Sequence, residues 1–509
     1  MNTRAVIVGA GVGGLVSAIE LARAGVQVQL FDRGTAPGGK LRQVQVGGQS
    51  LDAGPSVLTM RWVFDQLFAR AGADLQAELD LQPAPLLARH AFPDGGRLDL
   101  YADLERTADA IGQFAGAAEA RGYRAYCRYT ERLYETAAAP FMLQQRPTLG
   151  GALRTYGPGA LLQLWHLDPF RPLMRALHDF FRDPRLRQLF GRYATYCGGS
   201  PYTAPATLNL VNHVERQGIW LVPGGMQALA AALARLAERL GVAMHLGEDV
   251  QRILVRGHRA CGVALADGSE VGADAVVLGA DPGALASLLP GTVRPPAASV
   301  ALSAITLHVL ARRSSWPLMR HNVFFNRDYA AEFAAIWAGQ LPSEPTVYVC
   351  AQDRDGQGTC TSADERLLCL VNAPAGLPAL TPRERERCTE NLMRPLRAAG
   401  LHLELQAAPA MTSPADFARL FPGSGGALYG PPPQSWRSFF NRPSSRHALA
   451  GLYLAGGSVH PGPGLPMAAL SGCLAAAALC ADSPSTTRRR RAAMPGGTST
   501  ATAPMASMP

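Results

Sequence analysis

The residues whose spacing most clearly predicts chemistry lie near the start of the chain, in the stretch AVIVGAGVGGLVSAIELARAGVQVQLFD. Gly9 permits a tight turn, Gly11 lets a pyrophosphate approach the backbone, and Gly14 lets a helix pack closely on the preceding strand. Gly13 completes the series, and Asp32 follows at close to the ~20-residue distance expected of a carboxylate that binds ribose hydroxyls. This pattern predicts a dinucleotide-binding site, and a plain βαβ unit is the alternative.

A second glycine pair, Gly38-Gly39, stands directly before Lys40, which is the only lysine in the chain. A basic group just past a glycine turn can donate to a pyrophosphate, and ordinary nicotinamide dehydrogenases have no such second element. The doublet resembles that of FAD-containing oxidoreductases such as amine oxidases and carotenoid desaturases. We therefore expect Gly39 and Lys40 to bind FAD; the alternative is a Gly-Gly turn with an exposed lysine.

The C-terminal segment GLYLAGGSVHPGPGLPMAALSGC predicts a strand, a glycine loop and a helix rich in small residues. We expect Gly457 and Ser458, in the loop, to lie beside the cofactor. Pro466 suits a first helical turn, and with Met467 it marks a helix N-terminus whose dipole would stabilise negative charge on reduced flavin.

Two side chains are candidates for a catalytic role. His460, in the loop before the last helix, contacts flavin or substrate, or it is a structural loop histidine. Arg61, just after DAGPSVLTM, faces the same cavity or is exposed. Flavin dehydrogenation of a carbon–carbon bond removes a hydride and a proton, and a cation beside a polyene is delocalised. The protein therefore needs mainly to bind, align and exclude water, and the base is a water or a carboxylate of the substrate lobe.

Composition limits the class of protein. At 509 residues and 48% apolar content, the chain is long enough for two or three lobes. Its net charge is +9, but four of the arginines are Arg488 to Arg491, so nucleic acid is not indicated as a partner. Nine scattered cysteines without a Cys-x-x-Cys pair predict a reducing compartment and no metal site. Neither a transmembrane helix nor a signal peptide is predicted, which favours a cytoplasmic location.

Patterning along the chain predicts domains built from separated segments. Three segments are predicted to form a Rossmann-like α/β FAD-binding domain of the glycine-doublet type: residues 1–75, 218–290 and 441–482. Val250 is expected to place its backbone beside the adenine, and an ordinary β-meander is the alternative there. Residues 76–217 are predicted as a helical cap, and residues 291–440 as a mixed α+β substrate domain. The Ser/Thr/Pro/Arg-rich residues 483–509 predict a disordered basic tail, because they cannot bury a core.

Several segments together resemble the phytoene desaturase family of bacterial carotenoid desaturases over nearly all of residues 4–481: GAGVGG, GGK, DAGPSVLTM, GRYATYCGGSPYTAP, VPGGMQALAAAL and GLYLAGGSVHPGPGLP. Within the family, AGPSVLTMRWVFDQLF is most similar to the hydroxycarotenoid 3,4-desaturases of purple photosynthetic bacteria. The resemblance implies FAD, an acyclic 1-hydroxycarotenoid substrate, a new double bond between C3 and C4, and contact with a membrane. The electron acceptor that it implies is a quinone or oxygen.

Three positions depart from the usual pattern of that family. Asp32 stands where many relatives have glutamate, which is one methylene longer. Lys40 stands where arginine is common, so bidentate geometry is lost. Gly457-Ser458 occupies the place where many flavoenzymes have an acid on the ribityl chain, and the Ser458 hydroxyl can still make that contact.

Other functions on this fold remain open: a phytoene-type desaturase, a carotene isomerase, an amine oxidase, or a non-enzymatic prenyl-lipid carrier. The apolar region 151–190 favours a lipid over an amine. Peripheral binding to the inner or photosynthetic membrane is predicted from aromatic residues of this region that are interleaved with arginines: Trp165, Phe170, Phe180, Phe181 and Phe190. A buried pair of cap helices is the alternative.

Overall fold

The computed structural model describes residues 3–146, 150, 157, 165–291 and 301–483. The predicted basic tail, apart from Ser483, lies outside the described residues. Most of the first half of the predicted membrane-binding region, residues 151–156 and 158–164, lies outside them as well.

The strands follow the chain in this order: β1 Arg4–Val8, β2 Gln27–Asp32, β3 Gln43–Val46, β4 Gln49–Asp52, β5 Gln82–Pro83, β6 Leu86–Ala91, β7 Arg97–Tyr101, β8 Trp220–Leu221, β9 Ala243–Leu246, β10 Val250–Arg256, β11 Arg259–Leu265, β12 Glu270–Gly272, β13 Ala275–Leu278, β14 Leu302–Arg312, β15 His321–Phe324, β16 Val347–Ala351, β17 Asp364–Pro374, β18 Ala410–Thr412 and β19 Leu452–Leu454.

The α-helices are α1 Val12–Arg23, α2 Trp62–Arg70, α3 Leu75–Leu79, α4 Leu104–Ala115, α5 Ala117–Ala137, α6 Leu173–Leu177, α7 Pro184–Gly191, α8 Leu210–Arg216, α9 Met226–Arg239, α10 Leu285–Leu288, α11 Tyr329–Trp337, α12 Pro382–Ala398, α13 Pro414–Leu420, α14 Ser438–Asn441 and α15 Leu465–Asp482. A π-helical turn spans Ala138–Met142, and short 3-10 helices span Arg192–Cys197, Ala206–Asn209 and Pro282–Ala284.

The first sheet has five parallel strands in the order β19-β13-β1-β2-β9. Side chains alternate across it, as they must in a strand. Ala5 and Ile7 of β1 pack against the helices α1, α9 and α15 on one face. Val6 and Val8 pack on the other face against the antiparallel sheet β10-β11-β12. These strands come from the three segments predicted for a nucleotide-binding domain, and the Rossmann-like part of the predicted fold class is confirmed.

Helix α15 is long and apolar enough, by length and composition, to cross a membrane, and it alone among the described helices meets that test. It packs in the core against α1: a Cβ on Gly472 would lie 2.5 Å from the carbonyl oxygen of Gly13. The Ser17 hydroxyl also donates to the carbonyl of Gly472 at 3.2 Å. The small residues of α15 therefore serve a close helix–helix approach.

The second sheet has seven strands in the order β18-β14-β17-β16-β15-β6-β7. Its pairs are antiparallel except for the parallel pair of β15 with β6. Strands β6 and β7 come from residues 76–217, so this segment, predicted as a helical cap, also contributes an edge to the substrate sheet. The mixed α+β substrate lobe of the predicted fold class is confirmed.

Helices α4 to α8, which we term the cap, cover one face of the second sheet with an aromatic core. Tyr126, Phe181 and Phe190 are at most 1% exposed, and the rings of Phe181 and Phe190 stack with centroids 4.8 Å apart. The prediction that Phe181 and Phe190 face a bilayer is therefore wrong, and the alternative of buried cap helices applies to them. By contrast, Trp165 is 73% exposed and Phe170 is 63% exposed.

The cap core predicts a contrast between two phenylalanines. Phe190→Ala removes a fully buried ring from a stack, so we expect it to lower the free energy of unfolding by about 3–5 kcal/mol. Phe170→Ala, at an exposed site, should change it by less than about 0.5 kcal/mol. Chemical unfolding of the two variants beside the unmodified protein measures both effects, and equal midpoints for both variants would contradict the packing described.

Candidate active site

One cavity of about 1420 Å³ runs from the carboxyl ends of β1, β2 and β13 into the space between the cap and the second sheet. At one end it is lined by most of the residues predicted to bind the dinucleotide: Gly9, Gly11, Gly13, Asp32, Gly39, Lys40, Val250, Gly457, Ser458, Pro466 and Met467. Gly14 lies outside this lining. The structure thus brings together residues that are up to 458 positions apart in the chain.

The first glycine turn is held by backbone packing at three of its four glycines. Gly9 has a φ of +106°, a conformation that residues other than glycine rarely adopt. A Cβ on Gly14 would lie 2.0 Å from the carbonyl oxygen of Gly9, and a Cβ on Gly13 would lie 2.7 Å from the amide nitrogen of Gly456. Gly13 and Gly14 therefore allow α1 to approach its neighbours.

Gly11 differs from the other glycines of this turn. A Cβ added there would meet only the carbonyl oxygen of Gly279, at 3.9 Å, so the protein itself leaves room for a side chain. Gly11 lines the cavity and forms the N-cap of α1, whose capping position has no side-chain hydrogen bond. The free space beside Gly11 and the helix N-terminus together form a cradle for a phosphate group.

Asp32 lies at the end of β2 and orders the turn around it. One carboxylate oxygen accepts a hydrogen bond from the Ala10 amide at 2.6 Å, and the other accepts one from the Gly34 amide at 2.6 Å. A carboxylate offers about four lone-pair positions, so both oxygens keep acceptor capacity toward the cavity. The side chain is therefore fixed in place and still able to bind a ribose hydroxyl.

The second glycine pair brings Lys40 into the cavity wall. A Cβ on Gly39 would lie 3.1 Å from the Cα of Gly11, so the two glycine turns touch. The Lys40 ammonium donates to the carbonyl of Leu428 at 2.7 Å and lies 5.6 Å from the ring centroid of Phe421. Burial lowers the pKa of Lys40, and the charge of Asp281 opposes that shift. The ammonium keeps further donors for an anionic ligand.

Asp281 follows the end of β13 and lines the cavity, although the sequence patterns did not mark it. The Ser458 hydroxyl donates to its carboxylate at 2.6 Å, and the Gly283 amide donates to its other oxygen at 2.9 Å. Asp281, which follows β13, thus places a carboxylate beside Ser458. A carboxylate at the end of a parallel strand adjacent to β1 was the signal that could have identified it.

Arg442 is a second functional residue that the sequence patterns did not mark. It is 9% exposed and lines the cavity. Its guanidinium donates to the carbonyls of Tyr429 at 3.2 Å, Pro431 at 2.9 Å and Gly457 at 3.4 Å. Arg442 therefore ties the glycine loop at 457 to the segment around Tyr429.

The N-terminus of α15 faces the same end of the cavity. Its N-cap is Gly464, which has a φ of +111° and provides no side-chain hydrogen bond, and Pro466 occupies the first turn. Pro466 and Met467 line the cavity, so the positive end of the helix dipole points toward it. Val250, at the start of β10, lines the wall near Glu248 and Asp249.

These residues fit FAD. Gly11 leaves the space that a pyrophosphate needs, Asp32 offers acceptors for a ribose, and Lys40 supplies a cation that no carboxylate contacts directly among the described residues. The uncapped N-terminus of α15 suits a ring system that becomes anionic on reduction.

His460 lines the cavity but is held by the backbone. Its Nε2 lies 3.0 Å from the carbonyl oxygen of Gln144, which fixes Nε2 as the protonated nitrogen. Burial lowers the pKa of His460 to about 4, so the ring is neutral near pH 7. These contacts favour a structural role for His460 over a catalytic one.

Arg61 does not line the cavity. Its Nε lies 3.1 Å from Asp65, and its guanidinium stacks 4.5 Å from the ring centroid of Trp220. Asp65 lies in α2 and Trp220 in β8, and neither residue lines the cavity. Arg61 is therefore a packing residue of this turn and not a catalytic one.

Beyond the dinucleotide end, the cavity is mostly apolar and opens through an aromatic rim. The rim consists of aromatic rings that contact one another, with centroids 5.9 to 6.1 Å apart: Phe141, Trp165, Phe170, Trp436 and Phe440. Deeper, the cap contributes Leu208 and Val211, and the second sheet contributes Leu368 and Leu370. This shape suits a long apolar molecule that enters at the rim and reaches the dinucleotide end.

Comparisons with known proteins agree with this arrangement. The profile of the family described as flavin containing amine oxidoreductase matches residues 12–480. The chain is 51% identical to a protein named hydroxyneurosporene desaturase from Rubrivivax gelatinosus, over 98% of this chain and 97% of that one. It is 46% identical to a protein of the same name from Cereibacter sphaeroides, over 95% of this chain and 99% of that one. An oxidoreductase structure from Methanosarcina mazei shares the fold, with a TM-score of 0.61 at 14% identity, covering 92% of this chain and 99% of that one.

The space beside Gly11 generates a direct test of the cofactor site. Gly11→Val should fold, because the protein atoms leave room for a side chain, but its methyl groups would occupy the phosphate position. We expect a colourless protein with an unchanged circular dichroism spectrum. Gly272→Val is the matched control, because a Cβ there also meets open space but lies outside the cavity. Full flavin occupancy in Gly11→Val, measured from the visible spectrum, would contradict the site.

Proposed function

The chain belongs to the family of flavin containing amine oxidoreductases, and from this premise we propose that it is an FAD-dependent desaturase that forms a C3–C4 double bond in an acyclic 1-hydroxycarotenoid. The observation that carries the proposal is one continuous cavity, which joins a dinucleotide cradle to an apolar channel of sufficient size for one end of a long polyene. The near-full-length relatives named hydroxyneurosporene desaturase support the substrate class.

Bound FAD would accept the hydride, and the proton that leaves the neighbouring carbon would pass to a water or a carboxylate of the substrate lobe. The glycine turns, Asp32 and Lys40 would hold the cofactor, and the N-terminus of α15 would stabilise negative charge on it. The cap and the second sheet orient the polyene and exclude water from the reacting bond. The terminal electron acceptor is proposed to be a quinone or oxygen.

The proposed reaction predicts a defined product. An acyclic carotenoid with a 1-hydroxyl group should lose two mass units and absorb at longer wavelength, because the new C3–C4 bond extends the conjugated system. The purified flavoprotein is incubated without oxygen, with a quinone as acceptor, and products are separated by chromatography and weighed by mass spectrometry. The unhydroxylated parent, run in parallel, should react much more slowly.

Other products would redirect the assignment. Conversion of phytoene in place of the hydroxylated substrate would retain the desaturase and contradict the C3–C4 position. A product of unchanged mass and altered double-bond geometry would indicate the carotene isomerase alternative.

We also propose that the protein binds a membrane surface through its aromatic rim. Trp165, Phe170 and Trp436 are 73%, 63% and 38% exposed, and they surround the mouth of the cavity. Arg437 is exposed beside them, with its guanidinium 5.5 Å from the Trp436 ring centroid. Exposed Trp and Phe side chains next to arginine suit the headgroup region, and a substrate dissolved in lipid would enter directly from it.

Liposome flotation tests the membrane contact. Trp165→Ser combined with Phe170→Ser should reduce the fraction that floats with anionic vesicles by severalfold and leave the flavin content unchanged. Val255→Ser combined with Leu405→Ser is the control, because these residues are 42% and 41% exposed and lie outside the cavity lining. Equal flotation of both variants and the unmodified protein would rule out the rim as the contact.

A further inference from the structure

The apolar part of the cavity contains a phenol whose hydroxyl has no partner. Tyr329, at the start of α11, is 6% exposed, and its side chain lines the cavity. Among the described residues, no group lies within hydrogen-bond distance of its oxygen. Leaving a buried hydroxyl unpaired costs about 1–3 kcal/mol, so its presence calls for a partner that the protein itself does not provide.

The guanidinium of Arg192 faces the same part of the cavity. It lies between two phenol rings, 5.3 Å from the Tyr196 ring centroid and 5.4 Å from that of Tyr348. Its one hydrogen bond to the described residues goes from Nη1 to the Tyr196 hydroxyl at 3.2 Å, and no described carboxylate lies within ion-pair distance. Arg192 therefore has donors in excess of its protein partners.

Glu215 and the Tyr348 hydroxyl, which lie near Arg192, already have protein partners. Glu215 accepts hydrogen bonds from the hydroxyls of Tyr193 at 2.8 Å and Tyr196 at 2.6 Å. The Tyr348 hydroxyl lies 2.7 Å from both the Ser56 hydroxyl and His321 Nδ1.

The charge of Arg192 also affects the pKa of Tyr329. Burial and the nearby Glu332 carboxyl raise the pKa of Tyr329 well above its usual range, and the charge of Arg192 opposes that rise. Tyr329 is therefore a neutral phenol at physiological pH, able to donate or to accept. The guanidinium can only donate.

This pair lies close to the dinucleotide end of the cavity. Arg192 begins a 3-10 helix that ends at Cys197, and a Cβ on Gly198, its C-cap, would lie 2.6 Å from the Cβ of Tyr429. The next residue, Gly430, packs on Ser458, since a Cβ there would lie 2.9 Å from the Ser458 side chain. Two residue contacts thus connect the helix of Arg192 to the loop that is expected to hold the cofactor.

We propose that Arg192 and Tyr329 form the binding site for the hydroxyl group of the substrate: Arg192 donates to the hydroxyl oxygen, and the Tyr329 oxygen accepts its proton in a hydrogen bond. This inference rests on the proposed function and adds the residues that select a hydroxylated end. The position agrees with the chemistry, because the carbon that bears the 1-hydroxyl stands only two carbon–carbon bonds, of about 1.5 Å each, from C3. A group that binds it must therefore lie beside the reacting bond.

Such a pair would act as a specificity device. A hydrocarbon end would leave the Tyr329 hydroxyl and the Arg192 donors unpaired in an apolar cavity, whereas a hydroxylated end satisfies them. The discrimination would arise from the penalty on the wrong substrate as much as from attraction to the right one.

Tyr329→Phe tests this site, because it removes the hydroxyl and keeps the ring, which packs 5.0 Å from Phe333 between centroids. Binding is measured by quenching of tryptophan fluorescence, because Trp165 and Trp436 line the cavity and report occupancy without turnover. The probes are an acyclic 1-hydroxycarotenoid and its unhydroxylated parent, delivered in the same vesicles. Tyr202→Phe is the control, since its ring also contacts Phe333 but is 36% exposed and outside the cavity lining.

The unmodified protein and Tyr202→Phe should bind the hydroxylated probe more tightly than the parent. In Tyr329→Phe this preference should fall by roughly 10-fold, through weaker binding of the hydroxylated probe and tighter binding of the parent, with no loss of thermal stability. Arg192→Gln should reduce the same preference, and its flavin spectrum serves to check that it is folded.

Failure of the inference and failure of the proposed function are distinguishable. If the hydroxylated probe binds preferentially and Tyr329→Phe removes that preference, the inference holds even if no desaturated product forms. If the unmodified protein desaturates both carotenoids and binds them equally, the desaturase function stands and the hydroxyl site is overturned. Equal weakening of both probes in Tyr329→Phe, together with a lower melting temperature, would also overturn it, because it would indicate a structural role.

Discussion

The rest of the site depends on the direct backbone contact between α1, α15 and the glycine loop that precedes α15. Gly13 lies against the backbone of Gly456, and Gly472 lies against the carbonyl of Gly13, at distances that leave no room for a Cβ. This contact places the N-terminus of α15 beside the first glycine turn, although the two are separated by most of the chain. Without it, the cradle and the channel would be separate surfaces.

The parts of this structure that sequence predicts are those fixed by local geometry. The glycine turn and Asp32 lie within one βαβ unit, and the Gly39-Lys40 pair follows it directly, so strand, turn and helix dictate position. Arg442 could not be predicted in the same way, because its contacts with the backbone at 429–457 arise only in the folded chain. The sequence signal for Asp281 was its position after a strand, and its contact with Ser458 likewise arises only in the folded chain.

The aromatic residues of the cap show a different limit. Phe170 and Phe190 look alike in a stretch of mixed aromatics and arginines, yet one is 63% exposed at the rim and the other is fully buried. Periodicity fails there because prolines break the segment into short pieces with no common face. Tyr329 shows the same limit of sequence-based prediction. In the sequence it is only the first residue of a helix, and it becomes distinctive only when its hydroxyl is found without a partner.

The central claim is that cofactor and carotenoid share one cavity, with the hydroxylated end of the carotenoid next to the flavin. A crystal structure of the protein with FAD and the 3,4-desaturated product, which cannot react further, tests this most directly. We expect the pyrophosphate beside Gly11 and Lys40, the polyene leaving through the aromatic rim, and the hydroxyl oxygen within hydrogen-bond distance of Arg192 and Tyr329. A polyene bound with its hydroxyl at the rim, or a dinucleotide bound away from Gly11, would contradict it.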